Sequence, residues 1–118
     1  MMTLERVINE LGLERLTPLG TGEQRSVRWG YCSDLLSDVM AHARAGDIWI
    51  TLQTHQNIVA VALMTDVAGV IFPRGLAADA DTLEKATREG VPLLASERTV
   101  FELAGRLHAL LAGECDEG

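Results

Sequence analysis

At 118 residues the chain has room for one compact domain and not for two. Apolar residues make up 47%, which argues for a real core and against disorder, and aromatics make up only 4%, so that core must be aliphatic. A formal charge of −7 excludes general nucleic-acid binding, which runs on clustered Lys and Arg, and disfavours an anionic membrane surface.

No apolar run approaches the ~20 residues that a membrane span needs, and the start of the chain lacks a basic segment followed by an apolar block, so neither a span nor a secretion signal is expected. Cys32 and Cys115 lie far apart without metal spacing, which fits a reduced, cytoplasmic protein. Residues 1–112 form the expected single domain. Residues 113–118 form an acidic tail expected to be disordered.

Thr3 is a good N-cap; Leu4, Val7, Ile8 and Leu11 share one helical stripe, and Gly12 is placed to end the helix. A short strand is possible over 14–17. Residues 18–23, with Pro18, Gly20 and Gly22, read as a flexible turn, since the phosphate-loop pattern G-x-x-x-x-G-K-[ST] is absent. Residues 27–32 alternate, with Val27, Trp29 and Tyr31 on one side, and predict a strand. Ser33 is expected to cap the next helix and Asp34 to sit in its first turn, with Leu35, Leu36, Val39, Met40 and Ala43 buried and Gly46 as the stop. Asp34 and Asp38, four apart, would then share a helix face, either as paired carboxylates or metal ligands or as an ordinary solvated face.

The centre of the chain is residues 47–72. Residues 48–52 are apolar and β-branched and predict a strand. Gln53, Thr54, His55, Gln56 and Asn57 break the run. Residues 58–64 suit a strand or a buried helix by composition; a helix is expected, because parallel strands need a crossover of about this length. Residues 68–72 form the next strand, stopped by Pro73, Arg74 and Gly75. Asp81 with Glu84 resembles a capping box before a helix over 82–89 that Gly90 ends. A last strand ends at 93–95, and Pro92 at its start suggests an edge or entry position. Thr99 with Glu102 repeats the capping box ahead of the strongest amphipathic helix, carried by Val100, Leu103, Ala104, Leu107, Leu110 and Leu111. The sum is an α/β fold, a three-layer open sandwich with a mainly parallel sheet.

In such a sheet the polar turn after each strand lies along one edge, where ligands usually bind. Thr54, His55 and Asn57 occupy one such turn, Ser96 and Arg98 another. Arg98 would supply positive charge for an anion, and helix amino ends would supply free N–H groups. Helix capping alone would also account for Thr54, Asn57 and Ser96. His55 is the best candidate for a general base, although no Ser, Cys or acidic partner is fixed beside it. His42 and His108 read as solvent-facing, and the three histidines show no zinc spacing. Neither a catalytic set nor a metal site is expected.

The stretches GYCSDLLSDVM, GDIWITLQTHQNIVAVALM, AGVIFPRG, EGVPLL and FELAGRL together resemble the DRTGG-domain family in its small stand-alone bacterial form. That family resembles the amino-terminal domain of the HPr kinase family, and it occurs as a module inserted in phosphotransacetylases and in pyrophosphatases with CBS modules. The resemblance implies a non-catalytic regulatory or ligand-sensing module with an adenine nucleotide or other small anion as ligand and no cofactor. It also implies a homodimer, or a protein partner in a larger enzyme complex. Alternatives are an assembly partner of a redox enzyme complex and a small enzyme using His55 as base. The string D-R-T-G-G is absent: Pro73, Arg74 and Gly75 stand where relatives have a glycine pair, leaving only Gly75, and Thr54 and His55 stand where inserted modules carry Asp-Arg. The expected ligand-binding set is Thr54, His55, Asn57, Ser96, Arg98 and Gly75.

Overall fold

The structure, a computed structural model, describes residues 1–117, and the side chains of all of these except Thr21 and residues 114–117. Thr3 has extended backbone and its hydroxyl accepts from the Arg6 N–H, which starts helix α1 (Leu4–Leu11). Gly12 ends α1 at φ 64°, a left-handed conformation that a Cβ would disfavour. Strand β1 (Glu14–Arg15) follows, then a 3-10 helix (Gly20–Gln24) where a plain turn is predicted.

Strand β2 is shorter than the alternation suggests, covering only Gly30–Cys32. Before it the backbone is extended but bonded elsewhere: Ser26 bridges Thr3, Val27 N–H donates to the Met2 carbonyl, and Arg28 N–H donates to that of Gly46.

Helix α2 (Leu36–His42) starts later than expected. Leu35 is its N-cap without a side-chain bond, and the Ser33 hydroxyl accepts from the Leu35 N–H in a tight turn. Asp34 therefore stands outside the helix and shares no face with Asp38. The helix ends at His42, ahead of Gly46, and only Val39 is buried; Leu35 is 64% and Met40 40% exposed.

Strand β3 (Ile48–Ile50), helix α3 (Asn57–Thr65) and strand β4 (Gly69–Phe72) form the expected parallel crossover unit. Helix α4 (Ala80–Glu89) begins at Asp79 rather than Asp81, and Gly90 ends it at φ 74°. Strand β5 (Leu93–Ala95) leads into α5 (Val100–Glu117), whose capping box forms as expected: Glu102 N–H donates to the Thr99 hydroxyl and Thr99 N–H to the Glu102 carboxylate. The backbone of α5 runs into the acidic tail; Cys115 and the tail's other side chains from 114 on lie outside the described residues.

The strand order is β1-β5-β4-β3-β2, parallel except for antiparallel β1. β5 is therefore interior, and Pro92 marks its start rather than an edge. The ring sits just before the ladder, and the Pro92 carbonyl still accepts from the Val70 N–H.

Alternation along the strands builds two cores. Ile48, Ile50, Ile71 and Leu94 face α1 and α5, while Trp49, Val70, Phe72 and Leu93 face α2, α3 and α4. Fully burying one such side chain is worth roughly 1.5–3 kcal/mol. Gly30 lets α5 approach the sheet, because a Cβ there would lie 2.9 Å from Leu107 Cδ2. Among the described residues no helix is long and apolar enough to cross a membrane.

Candidate functional site

Four turns line the edge at the strands' carboxyl ends, following β2, β3, β4 and β5. The turn after β2 braces the turn after β3. One Asp34 carboxylate oxygen accepts from the Thr51 hydroxyl (3.0 Å) and the Leu52 N–H (2.7 Å), and the Asp34 carbonyl accepts from Gln53 Nε2 (2.9 Å). The Trp49 indole N–H donates to the Ser33 carbonyl at 2.9 Å. Asp34 is thus a brace between turns and not half of a carboxylate pair. Among the described residues no cluster of His, Cys, Asp or Glu is arranged to hold a metal ion.

Thr54 is bound to the start of α4 rather than capping α3. Its carbonyl accepts from the Asp79 N–H (3.2 Å) and the Thr82 hydroxyl (2.7 Å), and its hydroxyl donates to Asp79 Oδ1 at 3.4 Å. The N-cap of α3 is Gln56, whose backbone is already helical and whose side chain makes no capping bond. Capping therefore explains neither Thr54 nor Asn57. His55 and Asn57 are exposed at this amino end, and the His55 carbonyl accepts from the Ile58 N–H.

Ser96 and Arg98 lie on the far side of β4, since β4 separates β3 from β5. The Ser96 hydroxyl accepts from the Arg98 N–H (3.1 Å), a local turn bond, while Thr99 caps α5. Arg98 Nη1 donates to the Leu11 carbonyl at 2.9 Å. Leu11 is the last residue of α1, and the last turn of α1 has no basic residue of its own, so Arg98 supplies the missing cation and satisfies an end carbonyl.

The turn after β4 joins the two sides. Arg74 N–H donates to the Arg98 carbonyl (2.8 Å) and Gly75 N–H to that of Ser96 (2.9 Å). Gly75, at φ 68°, lies under Glu97, whose Oε2 would be 2.7 Å from a Cβ there. Gly75 and Ser96 share a cleft of about 320 Å³ with Glu14, Leu76, Ala77 and Glu97. Thr54, His55, Asn57 and Arg98 do not line it. The expected set thus divides three ways: Gly75 and Ser96 in a cleft with two carboxylates, Thr54, His55 and Asn57 around the amino end of α3, and Arg98 at the end of α1.

Arg74, read from the sequence only as a strand stop, is an exposed cation at this edge. It holds a left-handed φ of 59° as a non-glycine residue, and makes no ion pair among the described residues. Its place between Pro73 and Gly75 was the available signal, because an arginine inside a turn that demands left-handed backbone needs a reason.

At the sheet's open side, Trp29, Gly30, Cys32, Ala104, Leu107 and His108 surround a mostly apolar recess of about 210 Å³. The His108 ring meets Trp29 edge-on, with centroids 5.3 Å apart, so this exposed histidine is not free of contacts. On the opposite face Tyr31 donates its phenol proton to Asp38 (2.7 Å), and His42 Nδ1 lies 3.1 Å from the other carboxylate oxygen. Burial, then the nearby Asp34, pushes the Cys32 thiol above its ordinary pKa, which makes it a poor nucleophile.

No protein-family model matches the chain. No curated protein matches it either. Among solved structures it is similar to the CBS and DRTGG domains of the regulatory region of Clostridium perfringens pyrophosphatase, a structure complexed with the activator diadenosine tetraphosphate. The TM-score is 0.69 at 17% identity; the match covers 89% of this chain and 45% of the other, so this chain spans less than half of that neighbour's length. Likeness at this identity shows the fold alone, a mostly parallel α/β sheet with helices, and carries no function by itself.

Proposed function

We propose that the chain is a regulatory, ligand-sensing module and not a catalyst, and that its ligand is a small anion, an adenine nucleotide. The observation that carries this is the amino end of α3: its N-cap Gln56 makes no side-chain capping bond, His55 and Asn57 are exposed there, and the next turn holds Arg74, a guanidinium without an ion pair among the described residues. The Ile58 and Val59 N–H groups there are already bonded to the His55 and Gln56 carbonyls, so the helix end draws an anion through its dipole, about half a positive charge, and through the exposed side chains beside it. Salt screens the overall charge of −7 within roughly 10 Å, so a local donor cluster outweighs it. Arg74 takes the anion-pairing role first expected of Arg98, which is engaged at α1. Gly75 and Ser96 hold the Arg74 turn in place and stand beside Glu14 and Glu97, which repel phosphate. Among the described residues the His55 ring has no hydrogen-bonded partner to orient it, which favours binding over general-base chemistry.

The nucleotide neighbour of similar fold supports the ligand class. The helices on both faces of the sheet support the finer architecture, an open three-layer sandwich like the amino-terminal domain of the HPr kinase family. The module acts as a homodimer in the cytoplasm. Calorimetric titration with ATP, ADP, AMP and diadenosine tetraphosphate at ordinary salt tests it. Heat that disappears in Arg74→Ala is expected; no heat at millimolar nucleotide, or binding unchanged in an Arg74→Ala, His55→Ala double variant, overturns it.

A further inference from the structure

The two edges of the sheet are built differently. β1 is two exposed charged residues, Glu14 and Arg15, the usual way of blunting an edge against pairing. β2 at the other edge carries no charge in Gly30, Tyr31 and Cys32. Its bonds to β3 fix which groups are free. The Trp29 carbonyl accepts from the Ile48 N–H, and the Ser33 N–H donates to the Ile50 carbonyl, with Tyr31 aligned between them on Trp49. Trp29, Tyr31 and Ser33 therefore turn their backbone groups towards β3, and Gly30 and Cys32 turn theirs to the open side.

From this geometry we infer that β2 is the dimer surface and pairs antiparallel with β2 of a second copy about a two-fold axis through Tyr31. This rests on the dimer proposed above but not on its nucleotide. The register is self-complementary. An axis at Tyr31 sets Gly30 opposite Cys32 of the second copy, so the residues with free N–H and C=O groups meet as hydrogen-bonded pairs on both sides of the axis. Size fits as well. On the face towards α5, the residue without a side chain meets the one with a thiol, and each Cys32 is set across from the recess beside Gly30 of the other copy. Charge fits in the same way: Arg28, 51% exposed and 3.3 Å from Asp47 of its own chain, and the exposed Asp34 bracket the strand with opposite sign, and the antiparallel arrangement brings each towards its opposite in the second copy. Phe101, 88% exposed, stands on the same α5 stripe as Ala104, His108 and Leu111, which line the recess, and extends the apolar surface beside the edge.

Two variants test the surface by sedimentation and cross-linking. Cys32→Pro removes an N–H that the single chain does not use but the pairing does, so the monomer keeps its fold. Tyr31→Cys, with the native cysteines changed to Ser, sets two thiols opposite each other in a non-hydrogen-bonded pair, with Cα atoms roughly 4.5 Å apart and within disulfide reach. Expected results are a wild-type dimer at tens of micromolar, loss of that dimer in Cys32→Pro with an unchanged circular dichroism spectrum, and a covalent dimer on mild oxidation of the Tyr31→Cys chain. Should Cys32→Pro fail to fold, the cross-link alone decides. A monomeric wild type overturns both this surface and the dimer. A wild-type dimer that survives Cys32→Pro, or that leaves the Tyr31→Cys chain uncross-linked, overturns the surface and leaves the dimer standing.

Discussion

Replacing Arg98 by alanine separates two roles that the sequence left joined. As an anion ligand, Arg98 would matter for binding and little for stability. The structure instead gives its guanidinium a 2.9 Å bond to the Leu11 carbonyl at the end of α1. A hydrogen bond to a charged donor is worth about 1.5–3 kcal/mol. Arg98 is only half buried, and water can take the place of its Nη1 at Leu11, so the effect is discounted to about 1–2 kcal/mol. For a chain of 118 residues this lowers Tm by roughly 4–8 °C, and the urea midpoint falls by roughly 0.5–1 M with unchanged slope. Arg98→Lys recovers part of the loss, because an ammonium still complements the helix end. Arg74→Ala, an exposed change without a bonded side-chain partner, shifts stability by less than about 0.5 kcal/mol and removes nucleotide binding. Urea unfolding of the three variants beside calorimetry gives the answer. An Arg98→Ala chain as stable as wild type that no longer binds nucleotide would refute the assignment and return the anion to Arg98.

Two further outcomes follow from local geometry. Gly75→Ala costs about 1–2 kcal/mol, mainly because φ 68° is unfavourable with a Cβ; the 2.7 Å approach to Glu97 involves the far end of a flexible side chain, so adding Glu97→Ala in the same chain recovers only a minor part, as read from urea midpoints. Asp38 gives an acid-side dependence: the bond from Tyr31, then that from Ser33, and more weakly His42, hold its carboxyl below the ordinary carboxylate range against the opposing pull of burial. A depressed folded-state pKa contributes stability above the ordinary carboxylate range that is lost as pH falls through the folded value, so thermal unfolding between about pH 7 and about pH 3 should show a shallower acid loss in Asp38→Asn than in wild type.

Much of the fold was legible because local signals agreed with the global arrangement. Thr3 and Gly12 bracket α1, Gly90 ends α4, and Thr99 with Glu102 opens α5, each through a bond or a left-handed φ that these residue types favour. The ambiguous run at 58–64 was resolved by chain topology, not composition. Misreadings fell where a tertiary bond outweighed a local preference. Ser33 and Asp34 look like a helix start, but Asp34 is drawn to Thr51 and Leu52, and α2 begins only after it. Asp81 and Glu84 look like a capping box, yet Asp79 starts α4 because Thr54 holds its backbone N–H. Pro92 suggested an edge, but a proline one residue ahead of the ladder leaves an interior strand intact.

The candidate site shows the same limit more sharply. The rule that turns after parallel strands share one edge placed Thr54, His55, Asn57, Ser96 and Arg98 together, and in that coarse sense they do line one edge. Strand order is what the sequence could not give: β4 stands between β3 and β5, so the turn at Arg74 and Gly75 decides what reaches across. That turn is held by two backbone bonds to the chain after β5, through Arg98 and Ser96 carbonyls, while the segment after it is held to the turn after β3 through Asp79 and Thr82. A ligand gripping Arg74 and the amino end of α3 would therefore press on backbone shared by all three turns. Leu11 is bonded to Arg98, so the same press reaches the end of α1. Binding at this edge would raise the stability of every one of these contacts together, which is the physical form a signal takes in a small ligand-sensing module of the kind proposed above.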